Sequence, residues 1–217
     1  MRGAIIFDLD GTLVDSVPDL AAAANAMLTE AGYAELDLPT VMSFVGHGIP
    51  NLVRRIITEL AIPPEREAEL QASMLAHYLA HPADRTRPYP GVVESLQALR
   101  QAGFALGVCT NKMREPAMAI LQALDLDHMF DVVIGGDSLP QRKPDPAPLH
   151  AAFAAISAPA LLYVGDSEVD AETALAAGLP FALFTEGYRK TPVHELPHDF
   201  AFDDYGILSG YAARLTN

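Results

Sequence analysis

Two aspartates, Asp8 and Asp10, stand two residues apart in the string Asp8-Leu-Asp10-Gly-Thr12-Leu-Val-Asp15. Carboxylates this close cannot both be buried anions without a cation or a proton to compensate them. One reading is a solvated acidic turn, because Asp-Gly is common turn chemistry. The other divides the labour. Asp8 attacks phosphorus and forms an aspartyl-phosphate, while Asp10 protonates the leaving oxygen and then takes a proton from the attacking water. A hard, open carboxylate site also suits Mg²⁺, which would draw a phosphate dianion toward an acidic protein.

Three further strings carry polar groups at the ends of apolar runs. Val108-Cys109-Thr110-Asn111 supplies a hydroxyl and an amide just before a helix-like stretch, where they can hydrogen-bond phosphoryl oxygens or simply cap the helix. Cys109 reads as core filler, with no base beside it to activate a thiol. Arg142-Lys143-Pro-Asp145-Pro holds an ammonium in a proline-rich loop. Such a fixed charge can offset repulsion between Asp8 and phosphate, although an isolated lysine is more often solvated. In Val164-Gly165-Asp166-Ser-Glu-Val-Asp170, the i,i+4 spacing can bring both carboxylates to one side of a helix start. Asp170 also fits an acidic residue favoured at the positive helix end.

These strings need elements to hold them. Apolar runs at 3–7, 104–109, 132–134, 161–164 and 181–184 alternate with helix-like stretches at 92–102, 116–124, 146–155 and 169–177. That rhythm predicts an α/β, Rossmann-like core, a parallel sheet covered on both faces. Each polar string then falls at a strand's C-terminal end, where open α/β sheets bind ligands. Between about Ser16 and Arg87 no strand is expected. Four helical patterns (19–31, 39–44, 50–60 and 65–80) form an inserted cap at 16–87, and residues 1–15 and 88–217 form the core. From His198 onward a short strand and a final helix complete the core.

The chain has 217 residues, with 28 acidic against 14 basic side chains and a net charge of −14. The balance argues against nucleic-acid or anionic-membrane partners, both of which need a basic face. One cysteine excludes an internal disulfide framework and a cysteine zinc site. No apolar run reaches the length of a membrane span, and the N-terminus meets acid too early for a signal peptide. A cytoplasmic protein is expected, as a monomer or homodimer.

The first string resembles the opening motif of the haloacid dehalogenase superfamily, and the other three resemble its later motifs in order. The resemblance runs end to end, including the helical insertion. It implies a sheet with its core strands in the order 5-4-1-2-3, and Mg²⁺ held by Asp8, by the Asp10 backbone carbonyl and by Asp166. Thr110 and Lys143 match the second and third motifs, and Asn111 follows as a substrate contact. Asp170 is expected to act behind this layer, through water or by orienting Lys143.

The cap bears on the substrate. Val45-Gly46-His47-Gly48 precedes a helical pattern carrying Arg54 and Arg55. Free amides near Gly46, with Arg55, can receive a small carboxylate; the bland alternative is a glycine turn beside a solvated arginine. His47 reads as an ordinary loop histidine. Phe44-Val-Gly46-His-Gly48, Arg55 and Gly187-Tyr188 make the chain most similar to the phosphoglycolate phosphatase branch. That similarity implies a small phosphorylated metabolite, 2-phosphoglycolate, as substrate. Sugar phosphates, nucleotides and pyrophosphate are alternatives within the same chemistry. A β-phosphoglucomutase-like phosphomutase, a dehalogenase and a non-catalytic phospho-aspartate receiver are the rivals outside it.

Overall fold

The structure is a computed structural model that describes residues 2–216. Its centre is a six-stranded, wholly parallel sheet. The strands are β1 (Ala4–Phe7), β4 (Ala105–Cys109), β5 (Val132–Ile134), β6 (Ala160–Gly165), β7 (Phe181–Phe184) and β8 (Phe200–Phe202). They lie in the order β5-β4-β1-β6-β7-β8. Counting core strands alone, this is the expected 5-4-1-2-3 arrangement with a sixth strand added beside the fifth. The sequence places that strand in the tail beyond His198, followed by α9 (Leu208–Arg214).

Strand β1 has no solvent-exposed residue, because helices cover both its faces. Side chains alternate across a strand, so Ile5 and Phe7 join one apolar layer while Ala4 and Ile6 join the other. The first layer packs beneath α5 (Val92–Gln101), α6 (Arg114–Ala123) and α9; the second packs against α7 (Ala147–Ala154) and α8 (Glu168–Ala177). With β1 central and all strands parallel, Asp8, Thr110 and Asp166 emerge at the same edge of the sheet. Each directly follows the last residue of β1, β4 or β6.

Four helices fill the insertion: α1 (Val17–Glu30), α2 (Leu38–Phe44), α3 (Ile49–Glu59) and α4 (Glu67–Ala80). In α3 the residues Leu52, Val53, Ile56 and Ile57 are buried, a helical stripe that packs the insertion together. The expectation of no strand there fails at one position. Arg87 and Pro88 form a two-residue strand, β3, which pairs antiparallel with β2 (Val14–Asp15). So short a ladder leaves no periodic signal, and Pro88 masks it further. A second tie lies above it. The buried Asp19 carboxylate accepts hydrogen bonds from Arg85 N, Thr86 N and Thr86 Oγ1. The two passages between core and insertion are thus fastened side by side.

Among the described residues, no helix is long and apolar enough to cross a membrane.

Candidate active site

The C-terminal strand ends open into a cleft between the core and the insertion. Asp8, Asp10, Thr110, Asn111, Lys143 and Asp166 line it from the core, and Gly46, His47 and Gly48 line it from the insertion. Gly48 has φ +79°, and a Cβ there would lie 3.1 Å from the Asn111 carbonyl. The insertion therefore closes down on the β4 loop at a position that favours glycine.

Carboxylate oxygens of Asp8, Asp166 and Asp170 lie within 4.8 Å of one another, and all three residues are buried. Burial, with Asp170 and Asp10 nearby, overcomes the attraction of Lys143 and raises the Asp8 pKa to about 7. Burial, then the negative charges of Asp170 and Asp8, pushes Asp166 well above the ordinary range. Asp166 accepts hydrogen bonds from Thr12 Oγ1 at 2.9 Å and Tyr188 N at 2.6 Å. It has no cationic partner among the described residues. A buried acidic group of this kind is short of positive charge, and its oxygen donors are those a hard divalent cation prefers. The residues present therefore fit a metal site.

Asp170 is differently placed. Its Oδ1 accepts from Lys143 Nζ and Tyr163 Oη, both at 2.7 Å. Its Oδ2 accepts from Asp166 N, Ser167 N and Ser167 Oγ. Burial alone would raise its pKa, but Lys143 and these donors together hold it below the ordinary carboxylate value. The local reason is its place in the first turn of α8, where it reaches back to the start of the helix. One side chain thus caps the helix and anchors the lysine.

Lys143 lies 3.0 Å from Asp8 Oδ1 as well. That oxygen accepts no hydrogen bond, so the contact is an ion pair by distance. Burial disfavours the ammonium, yet Asp170 and Asp8 outweigh it and keep the lysine charged. Thr110 Oγ1 accepts from Lys112 N at 3.2 Å. Helix α6 starts later, at Arg114, so Thr110 is not the helix cap that the sequence also allowed. Asn111 donates to the Lys143 carbonyl at 3.1 Å, while its own Oδ1 is buried without a partner. Cys109 is fully buried, and burial pushes its thiol up to about 12, as core filler should be.

Arg55 is not brought to the cleft. Its guanidinium donates to the Ser43 carbonyl at 3.1 Å and is exposed. The helix period is the cause: the buried stripe of α3 takes residues 52, 53, 56 and 57, which turns 54 and 55 outward. Gly46 does line the cleft, and so does His47. Burial lowers the His47 pKa, and Arg55 and Lys190 lower it further.

Three further groups have no role assigned by the sequence, although Tyr188 belongs to the Gly187-Tyr188 pair that carries the resemblance. Lys112 is 6% exposed, and its Nζ lies 3.1 Å from both Asp10 oxygens. Its ammonium also stands 4.5 Å from the ring centre of Tyr78, on α4. The available signal was a third polar residue directly after Thr110-Asn111. Ser16 Oγ also donates to Asp10. Tyr188 donates to Asp15 Oδ1 at 2.7 Å and accepts from Ser16 N and Val17 N. It joins the Asp166 loop to the first passage into the insertion.

A parallel sheet with this acidic, lysine-containing edge and a helical insertion after its first strand defines a recognisable class. The sequence profile of the haloacid dehalogenase-like hydrolases matches residues 5–184, and the chain belongs to that family. It is similar to the phosphoglycolate phosphatase of Cereibacter sphaeroides, with 51% identity over 213 residues covering 97% of this chain and 98% of the relative. The phosphoglycolate phosphatase of Rhodobacter capsulatus is 45% identical over 212 residues, 97% and 96% of the two chains. Among solved structures, that of a predicted phosphoglycolate phosphatase from Haemophilus somnus 129pt superposes with a TM-score of 0.91. The identity is 32%, covering 97% of this chain and 98% of the other.

Proposed function

We propose that this protein is a Mg²⁺-dependent phosphomonoesterase whose substrate is 2-phosphoglycolate. The observation that carries this reading is the convergence of Asp8, Asp166 and Lys143 at one strand edge with Asp10 beside them. Full-length similarity to proteins named phosphoglycolate phosphatase supports the substrate. Residues 16–87 act as the cap over a core made of 1–15 and 88–217.

Asp8, Asp166 and the Asp10 carbonyl would hold the metal, which when bound neutralises phosphoryl and carboxylate charge. The Asp8 carboxylate attacks phosphorus in line; the bond to the glycolate oxygen breaks, and Asp10 delivers its proton to that oxygen. Asp10 then takes a proton from water, which attacks the phosphorus of the aspartyl-phosphate. Inorganic phosphate leaves and Asp8 is restored. Lys143, Thr110 and Asn111 hold phosphoryl oxygens throughout, and Asp170 and Tyr163 hold Lys143.

The test is phosphate release from a panel of phosphomonoesters, with and without Mg²⁺. Efficient, Mg²⁺-dependent release from 2-phosphoglycolate above sugar phosphates and nucleotides is the expected result. Isomerised product without free phosphate, or activity indifferent to a chelator, would reject the reading.

A further inference from the structure

We infer that Lys112 receives the substrate's carboxylate and so sets the preference for a leaving group that carries one. This rests on the phosphatase reading above. Among the described residues, three lysines line the cleft: Lys112, Lys143 and Lys190. Lys143 is enclosed between Asp8, Asp170 and Tyr163, which commits it to the phosphoryl end. Lys190 is exposed and donates to the Ser43 carbonyl. An exposed ammonium interacts weakly with an anion because water screens it.

Lys112 differs from both. It is buried in the cleft wall, with an aromatic ring at 4.5 Å on the cap side and both Asp10 oxygens at 3.1 Å. The distance matters because of covalent geometry. In 2-phosphoglycolate one CH₂ separates the leaving oxygen from the carboxyl carbon, so the carboxylate oxygens lie about 3 Å from the leaving oxygen. Asp10 must come within hydrogen-bond reach of that same oxygen to protonate it. A cation touching Asp10 is therefore next to the carboxylate.

The donor count also fits. An ammonium has three donors; among the described residues Lys112 hydrogen-bonds both Asp10 oxygens, with Tyr78 beside it. The desolvation of Lys112 is already met in the folded protein, and Tyr78 holds the charge by a cation–π contact. A carboxylate arriving there finds a pre-positioned partner. A neutral alkyl group leaves that donor unused.

The experiment compares kcat/KM for 2-phosphoglycolate and for ethyl phosphate, which also releases an alkoxide but has no carboxylate. The readout is the ratio of the two. Lys112→Met is expected to lower the ratio on the order of 10- to 100-fold, the worth of a hydrogen bond to a charged group. Lys112→Arg should keep part of it, and Lys190→Met should leave it at the wild-type value. Lys112→Gln is read in the same way if the methionine variant does not fold. An equal loss on both substrates means that Lys112 serves only to hold Asp10 and overturns the inference. A ratio that moves in the Lys190 variant but not in the Lys112 variants also overturns it. A wild-type protein without preference for 2-phosphoglycolate removes the substrate reading itself, and this inference with it.

Discussion

The Lys143 ammonium stands 3.0 Å from Asp8 Oδ1, with both side chains withdrawn from water. Asp170 holds it there from the other side at 2.7 Å. The lysine is thus shared between a carboxylate saturated by protein donors and one that is not. Removing it leaves buried anions facing one another, which typically costs about 3–5 kcal/mol. Lys143→Met should therefore lower the unfolding free energy by that amount in metal-free buffer. Its phosphatase rate should fall by at least about 100-fold, the scale of losing one preorganised electrostatic contact. Chemical denaturation and phosphate release check the two halves separately.

Asp8→Asn should lose turnover by at least about 10⁴-fold, since an amide is no nucleophile toward phosphorus. Its stability should move the other way. Burial disfavours the Asp8 anion, so the neutral isostere is expected to unfold at a higher temperature than the wild type in chelator at pH 8. Calorimetry with a parallel activity assay decides this. A variant that retains near-normal activity would end the assignment of Asp8.

The pH dependence of the metal-free protein follows from the same residue. Burial raises the Asp8 pKa from the ordinary aspartate value of 3.8 to about 7 in the folded state. Between these values the folded chain keeps a proton that the unfolded chain has released. Raising pH through that window therefore removes stability, and the loss is complete above about pH 7. Asp166, raised by the same burial, acts in the same direction. Asp170, whose pKa is lowered, opposes it only as pH falls through the acid range. Thermal unfolding with chelator should thus weaken from pH 5 to pH 8. Added Mg²⁺ should stabilise the protein more at pH 8 than at pH 5.

Gly187 approaches the site closely enough that a Cβ would lie 2.3 Å from Asp166 Cβ and from the Gly11 carbonyl. Gly187→Ala must displace Asp166, and a sharp rise in the Mg²⁺ concentration needed for activity is expected. Its neighbour gives a milder test. Tyr188→Phe deletes the hydroxyl that accepts from Ser16 N and Val17 N, and stranding such donors costs about 1–3 kcal/mol. Thermal shift and Mg²⁺ titration of activity distinguish the two variants.

The strand ends were readable in the sequence because each is a short apolar run closed by a polar string. The helices of the insertion were readable from their spacing. Asp8, Asp10, Thr110, Asn111, Lys143 and Asp166 share one cleft because the strands are parallel and β1 is central. Other features came from three-dimensional packing. Lys112 carries no sequence signal beyond its place after Thr110-Asn111, and its burial against Asp10 and Tyr78 comes from the fold. Tyr163 hid within an apolar strand, where only its hydroxyl hinted at a partner. Arg55 lies on the exposed face of α3, opposite the apolar stripe at 52, 53, 56 and 57, a placement that the helical spacing alone carries.

Asp19 and the β2–β3 ladder lash together the outgoing and returning leads of the insertion. Two tethers that run side by side act as a single pivot. Both leads are thereby held at one edge of the insertion, whose Tyr78 stands over the Lys112 ammonium and whose Gly46–Gly48 loop lines the same cleft. The joined leads leave the insertion's cleft-lining loop and the buried Lys112–Asp10 pair facing one shared space.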